Sequence, residues 1–129
     1  MAVQTLERVG LRYVNRIQLP AGYWELADYF DIRPFLGPSL PQRFTSFVVG
    51  CMLPFGEGRD SCRVQIANGP PDEPGASSFL LDLDYSLSDS GAIAVDQVLS
   101  WVEDAHARIE DIFEGCLTDR LRATFGEVK

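Results

Sequence analysis

The stretch "SFLLDLDYSL" (residues 78–87) decides how this chain of 129 residues folds. Large apolar side chains fill every second position, and they are Phe79, Leu81, Leu83, Tyr85 and Leu87. The positions between them hold Leu80, Asp82, Asp84 and Ser86. Because successive side chains of a β-strand point to opposite faces, this alternation predicts a strand with one face on a core and the other towards water.

Three more stretches predict strands around this one. "SCRVQIAN" (residues 61–68) alternates in the same way, and "RFTSFVVGCML" (residues 43–53) is rich in β-branched and aromatic residues. Residues 6–19 also alternate, in the part of the chain that contains "GLRYVNRI". Since the last three strands follow one another through short loops, we expect an antiparallel meander, with the first strand joined to its edge.

Near Val95 the apolar residues change from the alternation of a strand to the spacing of a helix. Apolar residues then recur on one face as far as Leu117, and acidic residues fill the opposite face. A helix from there to Phe125 would be about 46 Å long, which exceeds a small sheet. Gly115 is unfavourable inside a helix and Thr118 suits the start of a new one, so the pattern predicts a break between them.

These elements together predict an α+β fold in one domain, residues 1–129. The order is β-α-β-β-β-α, in which "YWELADYF" (residues 23–30) supplies the short first helix. The four strands form a single antiparallel sheet, and the long C-terminal helix covers one of its faces.

Composition excludes several classes of function. The net charge of −8 repels phosphate backbones, so we expect no nucleic-acid partner. The start of the chain does not have the pattern of a signal peptide, and no apolar run reaches the length that crosses a membrane. Three widely spaced cysteines predict neither a disulfide framework nor a zinc site. Reduced thiols favour a cytoplasmic protein, with Cys51 and Cys62 buried in strands.

Two segments resemble a known group of proteins. "RVGLRYVNRI" near the start and "AHARIEDIFEGCLTDRLRATFG" near the end are similar to an uncharacterised, sporadically distributed family of prokaryotic proteins, which carries "LRYxNRI" and "HxxIxxxF…LTDxL" signatures. The resemblance covers nearly the whole chain and corresponds to the C-terminal half of those longer proteins. It implies no activity, but it implies that a sheet face could be covered by another protein segment.

Charged residues concentrate on the polar face of the predicted sheet, and they are Arg8, Arg12, Arg16, Arg63, Asp82 and Asp84. One interpretation is a solvated face on which cross-strand ion pairs form. The other is a docking surface for a partner chain, a second copy or an anionic ligand.

A second group of polar residues falls on the apolar faces. Tyr13, Asn15, Tyr85 and His106 could converge on a small-molecule pocket between the sheet and the helices. Alternatively Asn15 and His106 are packed structural residues, each held by a hydrogen bond.

The sequence contains no complete motif for catalysis or metal binding. "EDAH" (residues 103–106) matches E-x-x-H, one half of a di-iron carboxylate site, but a second copy is lacking. Neither a nucleophile elbow nor a phosphate-binding loop occurs. We therefore predict no catalytic residues, no cofactor and no metal.

The residues favour a non-catalytic binding or protein-interaction module that self-associates or takes a protein partner. Aromatic residues near the short helix could anchor such an interface, and they are Tyr23, Trp24, Tyr29, Phe30 and Phe35. The alternative is the pocket between sheet and helices, with a possible enzymatic role.

Overall fold

One four-stranded antiparallel sheet organises the molecule. The computed structural model describes residues 9–19, 25–41, 44–69, 76–88 and 93–124. The strands are β1 (Gly10–Leu19), β2 (Val48–Phe55), β3 (Asp60–Gly69) and β4 (Ser77–Leu87), and their order in the sheet is β1-β4-β3-β2. The predicted fold class is confirmed, including the meander of the last three strands. The first strand joins an edge of the meander as expected, and that edge is β4.

The register of the strands puts the apolar set of each on one face. Leu83 of β4 lies opposite Tyr13 of β1 on one side and Val64 of β3 on the other. The large side chains of β3 and β4 that point to this face are buried, and they are Cys62, Val64, Ile66, Phe79, Leu81, Leu83, Tyr85 and Leu87. We call this the inner face of the sheet, and its reverse the outer face.

A long helix covers part of the inner face. Helix α1 (Val98–Cys116) follows a 3₁₀ turn at Val95–Gln97 and buries Trp101, Ala105 and Ile109. Its contacts with the sheet are mainly to β1 and β4. The helix therefore leaves most of the β2 side of the inner face open, although Arg108 lies over the Phe55 ring, 5.2 Å from its centre.

The predicted break in the C-terminal helix is confirmed. α1 ends at Cys116, and α2 (Asp119–Thr124) begins after Thr118. The Thr118 hydroxyl accepts a hydrogen bond from the Leu121 N–H at 3.2 Å and donates one to the Asp28 carbonyl at 2.5 Å. Thr118 thus caps α2 and ties it to the 3₁₀ turn at Leu26–Asp28.

Two elements differ from the prediction, and other predicted residues lie outside the described part of the chain. β2 begins at Val48 rather than at residue 43, because the Asn68 side chain accepts from the Phe47 N–H and donates to the Thr45 carbonyl, which ends the regular ladder. The predicted short helix is only the 3₁₀ turn, and residues 23 and 24 lie outside the described residues. Residues 6–8 of the predicted first strand and residue 125 are outside them too.

None of the described helices is long and apolar enough to span a membrane.

Candidate functional site

An ion-pair cluster occupies the centre of the outer face. Asp82 accepts two hydrogen bonds from Arg12, Nε to Oδ1 at 3.0 Å and Nη2 to Oδ2 at 2.7 Å, and a third from Arg63 Nη2 at 2.9 Å. The bond and the charge of Arg12 lower the pKa of the Asp82 carboxyl, and they outweigh the opposite effect of burial. These arginines already have a partner within the chain, so the cluster has the character of a cross-strand network.

The other predicted residues of the outer face join this cluster only in part. Arg16 Nε donates to the Ser78 hydroxyl at 3.1 Å. Asp84 lies directly opposite Arg12 and also opposite Arg63 in the strand register. Arg8 lies outside the described residues. The structure thus brings together Arg12, Arg63 and Asp82 and places Arg16 beside a different group.

Three of the four predicted pocket residues meet at an open groove between β1 and α1. The Tyr13 hydroxyl and His106 Nδ1 are 2.5 Å apart, and His106 Nε2 lies 2.8 Å from Glu110 Oε1. Asn15 donates to the Leu81 carbonyl at 3.4 Å. The groove has a volume of about 310 Å³, and its lining consists of Tyr13, Asn15, Ile109, Glu110, Phe113 and Glu114. The prediction of a packed His106 is wrong, because its ring is about half exposed at the rim of α1.

The fourth pocket residue, Tyr85, belongs to a separate buried network around Asp60. The Asp60 side chain is 1% exposed, and it accepts from the Tyr85 hydroxyl at 2.6 Å and from Trp101 Nε1 at 3.1 Å. Arg59 donates to both carboxylate oxygens at 2.9 Å. Arg108 Nη1 donates to the Tyr85 hydroxyl at 2.6 Å, and the same nitrogen lies 3.6 Å from Asp60 Oδ2.

Charge and burial in this network shift two pKa values in opposite directions. Burial alone would raise the pKa of Asp60, but the hydrogen bonds from Arg59, Tyr85 and Trp101 outweigh it and hold the pKa below its usual value. Burial and the bond to Asp60 raise the pKa of Tyr85 to about 12. Tyr85 is therefore a neutral donor at physiological pH, and the network fastens β3 and β4 to α1.

Sequence reasoning missed this network. The predicted strand begins at residue 61 and so leaves out Asp60. The alternation itself could have identified this residue, because Asp60 lies two positions before the inward-facing Cys62. Trp101 and Arg108 sit seven residues apart on α1, a spacing that puts them on the same side of the helix.

The edge strand β2 has an unusual surface. Val48 and Met52 on its outer face are 64% and 60% exposed, and Cys51 and Leu53 on its inner face are exposed as well. The prediction that Cys51 is buried is therefore wrong, because α1 lies over β1 and β4 instead. No residue of β2 is charged, and no described strand pairs with its free side.

More apolar surface adjoins β2. An open cavity of about 500 Å³ lies beside its inner face. Most of its lining is apolar, including Cys51, Leu53 and Ile112, and the charged residues Asp31 and Arg33 line it as well. Of the aromatic residues that were predicted as anchors, Phe35 is well exposed. Phe30 is fully buried and forms a β-bridge with Leu117, so it is a core residue and that part of the prediction is wrong. Tyr23 and Trp24 are outside the described residues.

Comparison with known proteins adds no assignment: no family model matches the chain, and neither a curated protein nor a solved structure shows significant similarity. Among the described residues, no group of three or more His, Cys, Asp or Glu side chains is arranged to hold a metal ion.

Proposed function

We propose that this protein is a non-catalytic interaction module that self-associates, with β2 as the surface that binds a second copy. The observation that carries the proposal is that β2 is an edge strand with exposed apolar side chains on both of its faces. A strand that is apolar on both faces is unusual at an edge that faces water, since an antiparallel sheet with one solvated face alternates apolar and polar residues. An exposed apolar edge is also a ready template for strand pairing.

The contrast between the two edge strands supports β2 as the binding edge. β1 carries Arg12 and Arg16 on its outer face, and charged side chains are a common device that blocks edge-to-edge pairing. β2 carries none in the sequence "VVGCMLPF". Among the described strands, β1 is therefore the edge blocked by charge. β2 is the more permissive edge, with Pro54 near its end as its one residue of a blocking kind.

Charge limits where a second copy can bind, and the uncharged edge of β2 meets the least repulsion. Each copy has a net charge of −8, so two copies repel one another over most of their surfaces. An uncharged strand is where this repulsion opposes contact least, and an antiparallel strand is complementary to itself. Because added salt screens the repulsion, we expect association to strengthen as salt is raised.

Sedimentation equilibrium over a range of protein concentrations tests the proposal. Wild-type protein should form dimers, and Val48→Lys should shift the equilibrium to monomer, because a lysine on an edge strand blocks edge-to-edge pairing. Val14→Lys is the matched control, since Val14 is 54% exposed on the outer face of the other edge strand. Wild-type protein that stays monomeric at all concentrations, or equal effects of the two variants, would contradict it.

The groove between β1 and α1 favours a second candidate function, the binding of a small organic cation. Glu110 and Glu114 supply carboxylates there, and the rings of Tyr13 and Phe113 can stack on a cation. Calorimetric titration with spermidine checks this. Saturable heat that is lost in Glu114→Gln supports the candidate, and the absence of heat with wild-type protein removes it.

A further inference from the structure

The free edge of β2 presents the backbone groups of its even-numbered residues. Pro54 has no N–H and fits a strand only where that position faces away from the neighbouring strand. The Phe47 N–H, in contrast, points towards β3, since it donates to the Asn68 side chain at 3.0 Å. Because backbone groups alternate in direction along a strand, Val48, Gly50 and Met52 direct their N–H groups to the free edge.

We propose that β2 pairs antiparallel with β2 of a second copy about a two-fold axis that passes at Cys51, which joins two four-stranded sheets into one of eight strands. This inference rests on the proposed function and specifies its geometry. A two-fold axis perpendicular to a sheet always brings a residue opposite itself, so the axis must pass at one residue of β2. The two residues nearest the middle of Val48–Phe55 are Cys51 and Met52.

Hydrogen bonding selects Cys51 over Met52. With the axis at Cys51, Gly50 lies opposite Met52 of the partner subunit and Val48 lies opposite Pro54 of the partner subunit. The outward N–H groups of Val48, Gly50 and Met52 then all find carbonyl acceptors, which gives about six bonds across the interface. With the axis at Met52, the Val48 N–H reaches past Pro54 into the hairpin turn, and only about four bonds form.

Side chains fit the same arrangement. On the outer face, the small Gly50 lies opposite the large Met52 of the partner subunit. On the inner face, Val49 lies opposite Leu53 of the partner subunit, and the two Cys51 side chains meet at the axis. The inner-face cavity of about 500 Å³ runs along Cys51 and Leu53, so the second copy would supply a wall to it. Pairing therefore gives the exposed apolar side chains of β2 cross-strand neighbours on both faces of the sheet.

Disulfide trapping tests this geometry. The two Cys51 residues form a non-hydrogen-bonded pair with Cα atoms about 4.5 Å apart, within the range that a disulfide spans. Oxidation of wild-type protein with diamide should thus give a covalent dimer on non-reducing gels, at a rate that does not depend on concentration once dimers are formed. Cys51→Ser should abolish it, since Cys62 and Cys116 are buried.

Two double variants provide the controls. In Cys51→Ser/Met52→Cys, the new thiols are roughly 9 Å apart at Cα, too far for a disulfide. In Cys51→Ser/Val14→Cys, the thiol is on the other edge strand, so any disulfide measures only random collisions between molecules. Trapping at Cys51 that is at least tenfold faster than in both controls supports the inference.

The remaining outcomes overturn the inference, and they separate it from the proposed function. Faster trapping through Met52→Cys would show that the axis passes at Met52. Slow trapping everywhere, in protein that sediments as a dimer, would leave self-association in place and refute the strand pairing. Protein that sediments as a monomer would refute both.

Discussion

Replacement of Asp60 by asparagine should destabilise the protein strongly. Oδ1 accepts from Arg59 Nε and Trp101 Nε1, and Oδ2 accepts from Arg59 Nη2 and the Tyr85 hydroxyl. Whichever oxygen becomes the amide NH₂, two of these donors lose their acceptor and both nearby guanidinium groups lose the negative charge. Removal of one partner from a buried ion pair costs about 3–5 kcal/mol.

The lower end of that range applies here. The side chains of Arg59 and Arg108 are 37% and 36% exposed, so water can solvate them after the substitution. We expect a loss of about 3 kcal/mol in the free energy of unfolding, which for a domain of this size lowers the melting temperature by about 10 °C.

Urea denaturation followed by tryptophan fluorescence measures this loss, and Trp101 lies directly in the network. Asp111→Asn is the control, because Asp111 is exposed on α1 and its replacement should change the stability by less than about 0.5 kcal/mol. A loss below about 1 kcal/mol for Asp60→Asn would refute the view that this network fastens the helix to the sheet.

Three more predictions concern pH, thiol reactivity and capping. The pKa of Asp60 is lower in the folded than in the unfolded protein, so ionised Asp60 contributes fully to the free energy of unfolding above the unfolded pKa of about 4. That contribution is lost as the pH falls through the folded pKa. The difference in unfolding free energy between wild type and Asp60→Asn should therefore become smaller when denaturation is measured at decreasing pH. One thiol of three should react quickly with Ellman's reagent: Cys51 is exposed, whereas burial raises the pKa of Cys62 and of Cys116 to about 11, and equal rates for all three would contradict this. Thr118→Ala should lower the unfolding free energy by about 1 kcal/mol while Thr118→Ser retains most of it, and identical denaturation midpoints for the two would show that the hydroxyl does not cap α2.

Local patterns predicted those parts of the fold that depend on neighbours along the chain. The alternation in β3 and β4 identifies their buried faces, because every second side chain of a strand points to the same face of the sheet. The break between α1 and α2 was predictable because Gly115 and Thr118 act within a single helical turn.

Features that depend on distant partners could not be predicted in this way. The burial of Asp60 requires Tyr85 and Trp101, which lie 25 and 41 residues away along the chain. Cys51 looks like a buried strand residue by itself, and its exposure follows from α1 lying over β1 and β4. His106 lies at the border of the apolar face of α1, where a small rotation of the helix decides between burial and exposure.

Hydrogen exchange of the β2 amides tests the central claim most directly. Because the N–H groups of Val48, Gly50 and Met52 face the free edge, they should exchange rapidly in dilute protein and slow down as the concentration rises into the range where dimers form. Amides of β3, which bond within the sheet, should be slow at both concentrations. Unchanged rates at these three β2 positions, in samples that sediment as dimers, would contradict the account.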